Sequence, residues 1–180
     1  MRLVNDLFLK NCVKFLKQFP TETDPISSEL EELLANGIVK AEDCYFFKSI
    51  FDRNPPTEIT NQDHMSELDK TYVELTSNEI CLMDYGFPYK RFDFNIKSTA
   101  AKVLKMGIVA SYRLANILKP MGAFCVRYTF DFDPESKVIS SFISFNKWRS
   151  GASEFYNMDP NYGLQGVMMI MSDYSVLNNL

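Results

Sequence analysis

The sequence predicts an α+β fold: an N-terminal helical unit, then a mostly antiparallel sheet of about four to six strands packed on one long central helix. Three patterns predict it. Through the first fifty residues apolar side chains recur every three or four positions, the spacing of one helix face. Beyond residue 70 they alternate with polar ones, the spacing of one sheet face. Between alternating stretches, the segment 98–119 is apolar around most of a helical circumference, which suits a helix lying across a sheet with one narrow strip in water.

A first helix is expected over 2–19. Val4, Phe8, Cys12, Phe15 and Phe19 form its stripe, widened by Leu7 and Leu16, while Lys10, Lys14 and Lys17 fall on another face. Pro20 ends it. Asp24-Pro25, or Ser28 with Glu31 as a capping box, opens a second helix through Leu30, Leu33 and Leu34, which Asn36-Gly37 stops. A third is expected from Ala41 to Phe51, carrying Cys44, Phe47, Ile50 and Phe51. The chain thus reads as a single domain, 1–180, with a helical subdomain at 1–52. Asn54-Pro55-Pro56-Thr57 breaks the pattern, and 53–69 reads as a polar loop with at most a short helical turn near His64.

The sheet portion is expected over 70–180. Tyr72–Leu75 and Ile80–Met83 pair as a hairpin around Thr76-Ser77-Asn78, although 63–75 also tolerates a helix. Phe92, Phe94 and Ile96 alternate with Arg91, Asp93 and Asn95, a strand signal. Ser98 caps the long helix and Pro120 terminates it; Lys102, Lys105, Arg113 and Asn116 form its polar strip. Phe124, Val126, Tyr128, Phe130 and Phe132 then alternate with Cys125, Arg127, Thr129 and Asp131, and the chain returns over Val138–Asn146. A four-residue loop at Asp133-Pro134-Glu135-Ser136 pairs Phe130 with Ile139, Val126 with Ile143 and Phe124 with Phe145, which sets the large residues on one face. The stretch 147–165 reads as loop. Val167–Met171 is continuously apolar, as a buried interior strand is.

Composition narrows the function classes. The 180 residues carry a net charge of -4, which repels a nucleic-acid backbone and favours basic partners. No segment approaches a membrane-spanning run of apolar residues, and Asn5, Asp6, Lys10 and Asn11 interrupt any signal-peptide core, so a cytoplasmic chain complete from Met1 is expected. Cys12, Cys44, Cys81 and Cys125 are far apart with no CxxC pair; reduced, buried thiols are expected, without a metal. Phosphate-binding and zinc-protease motifs such as GxGxxG, GxxxxGK[ST] and HExxH are missing, no GxSxG elbow presents a serine, and no cofactor is expected.

The remaining candidates are few. Asp131, Asp133 and Glu135 could gather oxygens around a cation, but they are equally good turn chemistry. His64 is the one side chain that titrates near neutrality, in a polar context expected to be exposed. Acidic ridges at Glu29, Glu31, Glu32 and at Glu42, Asp43 can meet a basic protein, and Trp148, Tyr156 and Tyr162 are of the types that dominate interfaces. The sequence is therefore expected to encode an acidic, non-catalytic protein-binding module of inhibitor or immunity type that occludes a larger basic partner, as in toxin neutralisation. The alternatives are a hydrolase or transferase with a carboxylate site in a cleft between helices and sheet, and a viral or assembly-type structural protein.

Overall fold

A computed structural model describes residues 2–4, 12, 16–17, 26–61, 65–85, 96–133, 135–151 and 166–172. Helices and antiparallel sheets are both present, as expected of an α+β chain. The elements are β1 (Arg2–Val4), α1 (Ser28–Ala35), β2 (Ile38–Ala41), β3 (Cys44–Phe47), α2 (Lys48–Phe51), α3 (Thr57–Asn61), α4 (Glu67–Ser77), β4 (Ile80–Cys81), α5 (Ile96–Leu118), β5 (Phe124–Asp133), β6 (Val138–Lys147) and β7 (Gly166–Met171). Five strands form the main sheet in the order β1-β7-β5-β6-β4, and β2 with β3 form a separate two-stranded sheet. Among the described residues every pairing is antiparallel.

The long helix is where the apolar circumference placed it. α5 covers one face of the main sheet, burying Val103, Leu104, Leu114 and Leu118 against Val126, Tyr128, Ile143 and Phe145. Its twenty-three residues span about 34 Å at the usual rise. The helix starts at Ile96, so Ser98 lies inside its first turn and does not cap it. It ends at Leu118, where a 3-10 turn through Pro120 takes over. At Gly107 the Tyr128 ring lies against helix backbone: a Cβ there would stand 2.2 Å from the ring. The buried Tyr128 hydroxyl shares a 3.1 Å hydrogen bond with Ser141 Oγ.

The β5–β6 hairpin forms with a register two residues from the expected one. Phe130 faces Ser141, Val126 faces Phe145, Phe124 faces Lys147, and Phe132 faces Ile139. The loop still holds four residues, but it lies one position later, between Asp133 and Val138, with Lys137 at φ +58°. A shift of two leaves every side chain on the same face, so the alternation could not distinguish the two registers. β7 is interior, between β1 and β5.

The N-terminal part departs furthest from expectation. Arg2–Val4 pair with β7 as a strand, satisfying its other edge, and do not begin a helix. Of the remaining positions to 19 only Cys12, Leu16 and Lys17 are described; all three are helical, and Cys12 is buried, Leu16 packs on the main core and Lys17 is exposed, as the expected stripe has them. α1 forms as expected and stops at Asn36-Gly37, but Ser27 caps it, accepting from Leu30 N at 3.2 Å. The helix expected over Ala41–Phe51 is a β-hairpin followed by one helical turn. Its alternation is hidden because both faces are buried: Tyr45 and Phe47 enter the main core, while Cys44 and Phe46 enter a second cluster with Val73. Tyr45 meets Phe124 edge-on at 4.9 Å and Phe47 meets Phe145 at 5.0 Å between ring centres. Each such pair contributes about 0.5–1.5 kcal/mol beyond its burial.

The hairpin expected over Tyr72–Leu75 and Ile80–Met83 is likewise replaced. Residues 67–77 are helical, and Ile80–Cys81 pair with β6 before a 3-10 turn at Leu82–Asp84. The expected 53–69 loop contains α3. The strand signal of 91–95 and the position of His64 lie outside the described residues, and Ile96 belongs to α5. Among the described residues no helix is long and apolar enough to cross a membrane.

Candidate protein-interaction surface

α4 begins at a capping box: Ser66 Oγ accepts Asp69 N at 3.1 Å, and the Asp69 carboxylate accepts Ser66 N at 3.3 Å. From there Thr71, Glu74 and Asn78 recur at three- and four-residue spacing along one face, and all three are fully buried. The face they meet is backbone. The outer edges of β3 and of the end of β6 approach each other without pairing, so their amides and carbonyls need partners. Glu74 supplies two, accepting Tyr45 N and Lys147 N at 2.8 Å each. Asn78 supplies three, donating to Tyr45 O at 2.7 Å and Phe145 O at 3.1 Å and accepting Phe47 N at 3.1 Å.

Arg149, 5% exposed, completes this seam. Its guanidinium binds the Glu74 carboxylate in bidentate fashion, at 2.6 and 3.0 Å, and donates to Asp43 O at 2.8 Å. Burial pushes the Glu74 carboxyl above its ordinary value, against the pull of the guanidinium and the two amides. Both of its oxygens are saturated by four donors, so what the geometry shows it doing is joining two sheets.

The opposite face of α4 is the reverse in character. Leu68 is 39% exposed and Tyr72 59%, one turn apart, followed by exposed Thr76. Sequence reasoning missed both faces, because Tyr72-Val73-Glu74-Leu75 reads as alternation. The available signal was Thr71, Glu74 and Asn78 at helical spacing opposite Leu68 and Tyr72.

Of the expected partner-binding residues that are described, two already hold cations of this chain. Glu29, Glu31 and Glu32 are exposed on α1, but Glu31 takes Arg113 Nη1 of α5 at 2.8 Å. Glu42 and Asp43 form the tip of the β2–β3 hairpin, both left-handed at φ +48° and +62°. Asp43 is bound by Lys40 and Lys147, each 3.1 Å from Oδ1, and both ammonium groups lie 5.6 Å from the Tyr45 ring centre. Trp148 is half-buried beside Cys125, Met169 and Met171, on the sheet face away from α5. Tyr156 and Tyr162 lie outside the described residues.

Asp133 accepts the Ser136 hydroxyl and Glu135 N, the latter at 2.9 Å, and these hold its carboxyl below the ordinary value. That is turn chemistry, and among the described residues no three metal-ligating side chains gather at a point. The cysteines are unpaired; Cys12, Cys44 and Cys125 are buried and Cys81 half-buried. Burial pushes the thiols of Cys12 up to about 12 and of Cys44 and Cys125 to about 11, so all three are protonated at neutral pH.

No curated protein and no solved structure matches the chain. The stretch from 8 to 97, which holds α1, the β2–β3 hairpin and α4 but not Arg149, matches the model of the Uncharacterized protein PM0498 family, and the chain belongs to that family.

Proposed function

We propose that the chain is a small, acidic, non-catalytic protein-binding module that occludes a larger basic partner, as an inhibitor or immunity-type protein neutralises its toxin. The reading places it in the cytoplasm, where unpaired thiols persist. One observation carries it. Glu29, Glu32 and Glu42 stand exposed on α1 and at the hairpin tip, and among the described residues no cation pairs with any of them. Glu42 holds a left-handed backbone that costs a side-chain-bearing residue about 1–2 kcal/mol. A glycine would sit there without that strain, yet a carboxylate occupies the tip. Long-range attraction of this kind speeds encounter and sets register more than it adds affinity.

Affinity capture from the native cell, read by mass spectrometry, should return a stoichiometric basic protein. With that partner, Glu32→Lys and Glu42→Lys should slow association and flatten its salt dependence. Glu31→Ala should do less, since Arg113 already neutralises Glu31. Trp148→Ala should weaken the complex through dissociation. Rates unchanged in all four variants would reject this surface.

A further inference from the structure

We propose that the basic partner docks on the outer face of α4, around Leu68 and Tyr72. This inference rests on the reading above and adds the apolar centre of the contact, toward which the exposed Glu29, Glu32 and Glu42 act by long-range attraction. α4 is unusual in what it buries and what it shows: beside Val73 its inner side holds Thr71, Glu74 and the C-cap Asn78, while Leu68, Tyr72 and Thr76 are exposed. A surface helix ordinarily does the opposite, because burying polar groups stabilises only when each finds a partner. Here they do find partners, in Arg149 and the two strand edges, and the apolar stripe is left in water. Tyr72, more than half exposed, is of a residue type that anchors interfaces, and Leu68 one turn away extends its apolar surface.

The rim of that stripe fixes the chemistry of the occupant. Glu67, Asp69 and Glu79 are exposed around it, and among the described residues none has a cation within salt-bridge distance. Glu67 is held by Gly151 N at 2.9 Å and Asp69 by the capping box, so two of the three charges are fixed in place. No basic residue lies in the last turn of α4 to offset its negative C-terminal end. By contrast, Glu31 and Asp43 in the other acidic regions already hold cations of this chain. An apolar centre with an acidic rim that no cation of the described residues pairs fits a partner surface of leucine-like side chains bordered by lysine or arginine, such as one face of a basic amphipathic helix.

The test uses the full chain, isotope-labelled, titrated with a synthetic amphipathic helix of leucine and lysine, and with the same pattern carrying glutamate for lysine. The lysine peptide should shift the amide resonances of Leu68, Tyr72, Thr76 and Glu79, and Tyr72→Ala should weaken it roughly tenfold or more. Tyr72 is exposed, so that variant should keep its fold, and its unchanged spectrum elsewhere checks this. Shifts centred on Glu29–Glu32 or Glu42 would overturn the docking site and leave the basic-partner reading standing. Equal response to the glutamate peptide, or none to either, would overturn both. Concentration-dependent shifts at Tyr72 without peptide would show that the face meets a second copy of the chain, and would overturn the partner proposed.

Discussion

α4 and α5 both lie between solvent and the interior, yet they are held by opposite chemistry. α5 buries alanine, valine, leucine and methionine against a sheet face, and what holds it is apolar area together with fit, down to the Tyr128 ring resting on Gly107. α4 buries Val73 in the smaller cluster, but it also buries a threonine, a glutamate and its C-cap asparagine, the last two bound to two strand edges, and its outer surface carries Leu68 and Tyr72. Apolar packing is non-directional and degrades by increments. A buried polar seam is directional: satisfied, it fixes which edge lies where, and broken at one point it leaves several charges or amides without partners. α5 therefore supplies bulk stability, whereas α4 sets how the β2–β3 hairpin sits on the main sheet.

The largest effect should come from cutting the seam. Arg149→Ala leaves the Glu74 carboxylate buried without its cation, and about 3–5 kcal/mol of stability should be lost in urea unfolding. Replacing both residues by apolar ones, Glu74→Leu with Arg149→Met, removes the orphan charge but not the orphan amides of Tyr45 and Lys147. Recovery should therefore be partial, with about 1–3 kcal/mol still missing for each unpaired group. Full recovery in the double variant would mean that the pair matters only as charge and that the edge-bridging account is wrong.

The helix made of apolar area breaks differently. Gly107→Ala ordinarily adds up to about 1 kcal/mol of helix propensity. Here the added methyl meets the Tyr128 ring at 2.2 Å, so the sign should reverse and about 1–3 kcal/mol should be lost. In a Tyr128→Leu background the same change should become neutral or favourable. Destabilisation that persists without the ring would place the clash elsewhere.

This contrast also accounts for what was legible in the sequence. Val103, Leu104, Leu114 and Leu118 announce α5, and Val126, Tyr128 and Phe130 announce β5, because one buried face and one wet face leave a periodic trace. β3 leaves none, since Cys44 through Phe47 are buried on both faces and the pattern becomes a run. α4 leaves a misleading one: Tyr72-Val73-Glu74-Leu75 reads as a strand and Asn78 as part of a turn, and only the distant Arg149 and the edges of β3 and β6 make Glu74 and Asn78 an inner face. Those partners lie 29 to 75 residues away in the chain, beyond any local window. The acidic residues were visible as charge, but which were already neutralised was not: Arg113 for Glu31, and Lys40 and Lys147 for Asp43, are supplied by the fold.

The hairpin that α4 positions offers a smaller and opposite effect. Glu42→Gly removes a side chain from a left-handed backbone, and stability should rise by up to about 1 kcal/mol once the added flexibility of the unfolded chain is offset. Association with a basic partner should slow in the same variant. A stability gain with no change in association would leave the tip carboxylate without a part in binding.

The smallest effect separates the interior carboxylate from the one at the edge. Burial raises Glu74, but Asp43 goes the other way: burial pushes it up, and hydrogen bonds from Lys147 and then Lys40 outweigh that and hold it below its ordinary 3.8. A carboxyl that titrates lower in the folded chain than in the unfolded one stabilises the fold fully above the unfolded value. That contribution is lost as pH falls from there through the folded value, so the hairpin tip should loosen only below about pH 4. The group is well exposed, and the whole contribution should stay below about 1 kcal/mol and shrink with added salt. Carboxyl-carbon NMR of Asp43 should show a midpoint below 3.8 that moves up more in Lys147→Gln than in Lys40→Gln, the order in which the two lysines pull. A midpoint at or above 3.8 with both lysines present would mean that burial governs the tip as it governs Glu74, and that Arg149 on the Asp43 carbonyl holds the turn without help from its charge.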